Sequence, residues 1–210
     1  GLAVNSFGGD TLPIEVSLSE GNGKITLTGS LGDVMRESAQ AALTYARANA
    51  RSLGLEPTIF DKVNLHVHVP DGATPKDGPS AGIGMATAII SAFTRRPVRR
   101  DVAMTGEVTL RGKVLAIGGL KSKTIAAHRA GVKTVILPND NAKDIPELPD
   151  SIRAELELIP VSHLHEVLSI ALLPGNEVPF TVDGSKEGMN VPLPKTPSGS
   201  GIPPLRADKN

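Results

Sequence analysis

The chain has 210 residues, with 22 Lys plus Arg balancing 22 Asp plus Glu, only 2% aromatic residues, no Trp and no Cys. Balanced charge leaves no net field to draw the molecule onto nucleic acid or an anionic membrane, and the missing thiols exclude disulfide scaffolds, thiolate zinc sites and cysteine nucleophiles. The length suits one large domain, or one domain with an appendage, whose core must be aliphatic because Ala, Val, Ile and Leu carry nearly all of the 40% apolar content.

Residues 14–18 and 24–29 read as strands around Gly21-Asn22-Gly23, a hairpin signal. A long helix is predicted over 33–52, with Leu31, Met35, Ala42 and Ala46 at helical spacing and Gly54 where a terminating glycine belongs. Leu65, Val67 and Val69 alternate with His66 and His68, the pattern of a half-buried strand. A Pro- and Gly-rich loop over 70–79 feeds residues 80–93, which are apolar or small all round and predict a buried helix, with Gly82 and Gly84 permitting close backbone approach. A strand at 102–105, a hairpin around Arg111-Gly112-Lys113, a helix over 120–130, strands at 134–137 and 155–160 and a helix over 163–172 complete the body. This mixture predicts a single α/β or α+β domain over residues 1–173.

Residues 174–210 hold 7 Pro and 5 Gly among Ser, Lys and Asp, a composition that predicts a disordered tail. Its exception is the apolar patch Val178-Pro179-Phe180-Thr181-Val182, suited to docking on the body or on a neighbouring subunit. No apolar run reaches the roughly 18 residues of a membrane span, and the opening Gly1-Leu2-Ala3-Val4-Asn5 has no basic stretch ahead of an apolar one, so a soluble protein is expected. Gly-x-x-x-x-Gly-Lys-Ser/Thr is absent, so any nucleotide dependence must come from another domain or chain.

The stretch Pro75-Lys76-Asp77-Gly78-Pro79-Ser80-Ala81-Gly82 delivers one hydroxyl to the first turn of the buried helix. There, free N–H groups and the positive dipole end favour an anion, which suits an acyl-transfer nucleophile; a helix cap at Ser80 and a packing glycine at Gly82 explain the same residues equally well. For a base, Lys123 shares a stripe with Leu120, Thr124, Ala127 and Ala130, while Lys121 and Arg129 fall off it. Lowering a lysine from its usual pKa by ~3 units costs about 4 kcal/mol, within what burial supplies. The alternative is a lysine whose stem covers Ala127 while its charge stays wet. His66, His68, His128, His163 and His165 are competing bases, none with the spacing of a zinc hydrolase. The run Arg95-Arg96-Pro97-Val98-Arg99-Arg100 lacks interleaved aromatics and reads as a solvated loop or subunit contact rather than a nucleic-acid site.

Three long motifs in order then carry a resemblance. Val69-Pro70-Asp71-Gly72-Ala73-Thr74-Pro75-Lys76-Asp77-Gly78-Pro79-Ser80-Ala81-Gly82-Ile83 resembles the nucleophile motif of the proteolytic domain of Lon proteases, the form normally fused to an ATPase module. The likeness continues through residues 101–112, through Ile117-Gly118-Gly119-Leu120-Lys121-Ser122-Lys123, and through residues 126–131 and 135–138, covering nearly all of 1–173. It implies a serine endopeptidase with Ser80 as nucleophile, Lys123 as general base and Thr105 orienting the lysine. It further implies an oxyanion held by backbone N–H groups at Ser80 and at the Asp77-Gly78 turn. The implied fold is the α/β Lon proteolytic domain, similar to the second domain of ribosomal protein S5. The implied assembly is a homo-oligomeric, hexameric ring in the cytoplasm, fed with unfolded or damaged proteins by an AAA+ ATPase in cis or trans. ATP would be used by that module, and no cofactor or metal by this chain. Two features depart from the pattern: Val4-Asn5-Ser6 stands where the family usually has Trp-Thr followed often by an acid, and the Pro-rich tail has no counterpart. Activity is expected to fall below about pH 7 as Lys123 protonates. A rival reading from another class is a catalytically silent Lon-like scaffold; the presence of both Ser80 and Lys123 speaks against it.

Overall fold

Alternating apolar side chains build two clusters on opposite faces of one parallel sheet in the computed structural model, which describes residues 1–70, 75–175 and 180–182. The chain opens with an antiparallel hairpin, β1 (Leu2–Asn5) and β2 (Gly8–Thr11). β3 (Glu15–Glu20), β4 (Ile25–Thr28), α1 (Asp33–Ala48), α2 (Ile59–Lys62) and β5 (Val63–His68) follow. α3 (Gly82–Thr94) leads to β6 (Val102–Met104), a short hairpin of β7 (Glu107–Val108) and β8 (Val114–Leu115), and α4 (Leu120–Arg129). β9 (Thr134–Pro138), a 3-10 helix at Asn139–Glu147, α5 (Asp150–Glu155), β10 (Glu157–Val161) and α6 (Leu164–Ala171) complete the mixed α/β domain.

The strands β10, β9 and β6 lie parallel in that order. Met104, Ile136 and Val161 join the larger cluster, whereas Ala103, Val135 and Leu137 join the smaller one with Leu120 and Ala127 of α4. A sheet covered on both faces has no solvent side, which is why β9 is buried at every position and apolar from Val135 to Pro138. The larger cluster also takes α1, α3 and one face of β5, whose Val63, Leu65 and Val67 are buried while His66 points to solvent.

One pairing differs from the sequence reading. β3 and β4 do not pair as a hairpin; β5 lies between them, antiparallel to β3 and parallel to β4. β5 is the only one of the three with fully buried side chains, Val63, Leu65 and Val67, and as the central strand it has both edges covered by its neighbours. The Asn64 carboxamide then accepts the N–H groups of Asn22 and Lys24, each at 3.0 Å, holding the 21–24 loop across the strand that separates its two arms. The first helix also ends earlier than predicted: at Asn49 the side chain donates to the Tyr45 carbonyl at 2.9 Å, and the chain continues as a 3-10 turn at Arg51–Leu53 closed by Gly54 at φ 76°.

Of the tail, Phe180 and Val182 pack against the larger cluster. The Phe180 N–H donates to the Phe93 carbonyl at 2.9 Å, and the Arg95 guanidinium lies 5.6 Å from the Phe180 ring centroid. Val178, Pro179 and residues 183–210, where disorder is expected, lie outside the described residues, as do residues 71–74 of the motif.

Candidate active site

Ser80 sits in the 3-10 turn Pro79–Ala81 that runs into α3, half-buried. Pro79 occupies the first position of that turn, where its missing N–H costs nothing, and Gly78 enters at φ 125°, a conformation L side chains avoid. The Ser80 carbonyl accepts the Gly106 N–H at 2.8 Å, and the Gly106 carbonyl accepts the Ile83 N–H at 3.0 Å. A side chain at Gly82 would come within 2.9 Å of the Val108 nitrogen, so glycine is what allows this segment to press against residues 106–108.

That clasp brings Thr105, the neighbour of Gly106, beside the Ser80 turn. Thr105 is fully buried, and its N–H donates to the Ile136 carbonyl at 3.1 Å, continuing the β6–β9 pairing. Lys123 arrives from the first turns of α4 and is 3% exposed. Its Nζ donates to Thr105 Oγ1 at 3.1 Å. Burial pushes the ammonium down from the ordinary 10.5 to about 8.

Ser80 and Lys123 line one cavity of about 820 Å³. Strand β1 forms one wall, residues 75–80 a second and residues 116–119 a third. Among the described residues, Asp10, Lys76 and Asp77 are the other charged side chains on its lining, and no histidine is among them. The competing histidine bases are placed elsewhere: Thr28 Oγ1 bridges His66 Nε2 and His68 Nδ1 at 2.8 and 2.7 Å, His128 pairs with Glu155, and His163 and His165 open α6. Among the described residues no group of three or more His, Asp or Glu could hold a metal ion, and no helix is long and apolar enough to cross a membrane. The arginine run is tied to its own chain, Arg96 donating to the Leu172 and Leu173 carbonyls and Arg99 pairing with Asp101.

Asp77 and Gly78 border the cavity, with their polar groups engaged locally. Asp77 Oδ1 accepts the Met35 N–H at 3.0 Å, capping α1 from 42 residues away, and accepts the Gly78 N–H at 2.9 Å. The sequence reading did not find the residues that hold these walls in place. At Gly9 a side chain would fall on the Ser122 carbonyl of α4, so glycine there lets the β1–β2 hairpin lie directly on the helix that carries Lys123. Gly119 starts α4 at φ 71°, and a side chain there would meet Val4 at 2.8 Å. The adjacent glycines 118–119 are the one sequence signal of that close packing.

A family model described as the Lon protease (S16) C-terminal proteolytic domain matches residues 1–174. The Lon protease of Chloroflexus aggregans is 63% identical over 172 residues, 82% of this chain and 21% of that protein. Lon protease 1 of Bacillus subtilis is 62% identical over 173 residues, 82% of this chain and 22% of that protein. The Lon protease of Escherichia coli is 59% identical over 172 residues, with the same coverage of 82% and 22%. The chain spans about a fifth of the length of these curated relatives.

Proposed function

The chain belongs to the Lon protease (S16) C-terminal proteolytic domain family, and from that premise we propose that it is a serine endopeptidase working through a Ser80–Lys123 dyad. The observation that carries this reading is a buried lysine, pushed down to about 8 and hydrogen-bonded to Thr105, on the same cavity as a serine at the mouth of a helix. A lysine with that proton affinity is a substantial fraction neutral near physiological pH and can accept a proton. Neutral Lys123 takes the Ser80 proton, Ser80 Oγ attacks the scissile carbonyl, and Lys123 returns the proton to the leaving amine; water then releases the acyl group by the same route. Thr105 fixes the direction in which Nζ is presented.

Backbone N–H groups at the start of α3 hold the developing oxyanion. The Gly78 N–H joins them only after leaving the Asp77 carboxylate, so the state described here favours a latent site that rearranges before it turns over. We assign unfolded or damaged proteins as substrates, delivered in the cytoplasm to a hexameric ring of this domain by an AAA+ ATPase that consumes the ATP. The relatives are about five times longer than the matched region, which leaves room for such a module.

The test is cleavage of a fluorogenic peptide and of unfolded casein without nucleotide, by this chain and by Ser80→Ala and Lys123→Met. Turnover lost in both variants, with the fold intact by circular dichroism, is the expected result. Turnover by Lys123→Met at the unaltered rate eliminates the dyad. If the unaltered chain is silent, a peptide boronate separates the rest: a latent peptidase bonds it to Ser80, a scaffold never does.

A further inference from the structure

The 3-10 helix Asn139–Glu147 packs against β8 and α4 and carries a buried carboxamide that makes three hydrogen bonds. Asn141 is 4% exposed. Its Oδ1 accepts the Ile117 N–H at 2.9 Å, and its Nδ2 donates to the Ile117 carbonyl at 3.0 Å and to Asp144 Oδ2 at 2.8 Å. Two bonds to the N–H and C=O of one residue imitate a rung of a β-ladder without a strand. The residue held this way lines the active cavity, whereas Asn141 itself does not.

Ile117 is followed by the exposed pair Gly118 and Gly119, the two residues with the widest backbone freedom. The far side of this joint is fixed to the proposed base, because the Gly119 carbonyl accepts the Lys123 N–H at 3.0 Å. Its near side is fixed where Asn141 grips Ile117. Among the described residues, and apart from its own chain neighbours, nothing lies within 4 Å of the place where a Gly118 side chain would begin, so none of them packs on the joint at that point.

We propose that Asn141 is a positioning residue for peptide hydrolysis: by clamping Ile117 it locks the Gly118-Gly119 joint, and the locked joint sets the start of α4 and hence the aim of Lys123. This inference rests on the dyad proposed above. Asp144 orients Nδ2 and is the outer support of the clamp.

Asn141→Asp tests it with little change of volume. The oxygen that accepts from Ile117 is kept, while the donor becomes an anion facing the Ile117 carbonyl and the Asp144 carboxylate. In the folded variant, kcat on a fluorogenic peptide is expected to fall about tenfold while KM changes less than about twofold, since a small misplacement of a reacting group acts on the chemical step. The acid limb of kcat/KM is expected to move up toward the ordinary lysine range as water reaches a looser Nζ; Asp10, Lys76 and Asp77, the other charges on the cavity among the described residues, are unaltered. Adding Asp144→Asn returns a donor beside the new carboxylate and is expected to recover part of kcat.

A folded Asn141→Asp protein with kcat and acid limb unchanged overturns the proposal. So does a loss of kcat that only tracks the unfolded fraction, with the limb unmoved. Should Asn141→Asp fail to fold, Asp144→Ala is measured instead: a smaller loss with the limb moving the same way supports the clamp, and no movement overturns it. An unaltered chain that shows neither Ser80-dependent turnover nor a peptide-boronate bond to Ser80 overturns the dyad and the clamp together, a result distinct from failure of the clamp alone.

Discussion

Lys123 shows how far a single position is legible and what it costs. Of the predicted stripe Leu120, Lys123, Thr124, Ala127 and Ala130, the first four are buried as the spacing predicts, with Lys121 and Arg129 exposed, because helical periodicity is a local property; Ala130 is exposed, since α4 ends at Arg129. What the stripe leaves open is whether the lysine keeps its charge, and that depends on Thr105, Ser80 and the cavity, all remote in sequence. A pushed-down value of about 8 puts the midpoint of the acid limb near pH 8 rather than 7, with activity rising as pH increases through it; a pH profile of kcat/KM checks this. The same burial has a stability sign. Between pH 8 and 10.5 the unfolded chain holds the Lys123 proton more tightly than the folded one, so stability rises with pH across that window and the full penalty is present below it. Lys123→Met removes the penalty. Discounted for solvent in the cavity and for the lost bond to Thr105, the variant should be more stable by roughly 1–2 kcal/mol at pH 7, the gain shrinking toward pH 10. Urea midpoints at the two pH values read it, and no gain at pH 7 means that Nζ is solvated.

Among elements, those with a strong period were legible and those defined by partners were not. α3 is apolar or small throughout, β9 is apolar from Val135 on and α1 has a clear stripe, so each appears where the pattern puts it. The β3–β4 pairing was misread because the Gly21-Asn22-Gly23 signal is local, whereas the strand that intervenes comes some 40 residues later. β2, reading Gly-Gly-Asp-Thr, has no alternation to find; it exists because β1 and α4 accept it. Asp77 belongs here too: the resemblance concerns the backbone of its turn, and nothing local in the sequence announces that its carboxylate caps a helix that began 44 residues earlier. Gly9→Ala probes the hairpin. A methyl group there falls on the Ser122 carbonyl, so β1–β2 must lift from α4, and a loss of about 1–3 kcal/mol with reduced turnover is expected. Thermal melts and peptide hydrolysis measure both; unchanged values mean the hairpin floats on α4 rather than bracing it.

At the scale of the whole molecule, the composition already dictated an aliphatic core, and the two-faced parallel sheet is how 2% aromatic content still fills one. The family match ends at residue 174, and composition alone marks everything beyond it as tail. Yet Phe180 and Val182 return to the larger cluster, and Phe180 gains both a main-chain bond to Phe93 and the Arg95 guanidinium over its ring. Partial burial of one phenylalanine and one valine, with an exposed cation–π contact, is worth about 1–3 kcal/mol before the cost of ordering the chain. A chain ended at residue 182 should therefore unfold at higher urea concentration than one ended at 173, by about 1 kcal/mol at 25 °C, and Phe180→Ala in the 182-residue form should remove most of the difference. Equal midpoints for the two lengths place the stabilising boundary of the domain at the end of α6. A difference that survives Phe180→Ala shifts the anchor from the ring to the main-chain bond with Phe93, which lies on α3, the helix that Ser80 opens.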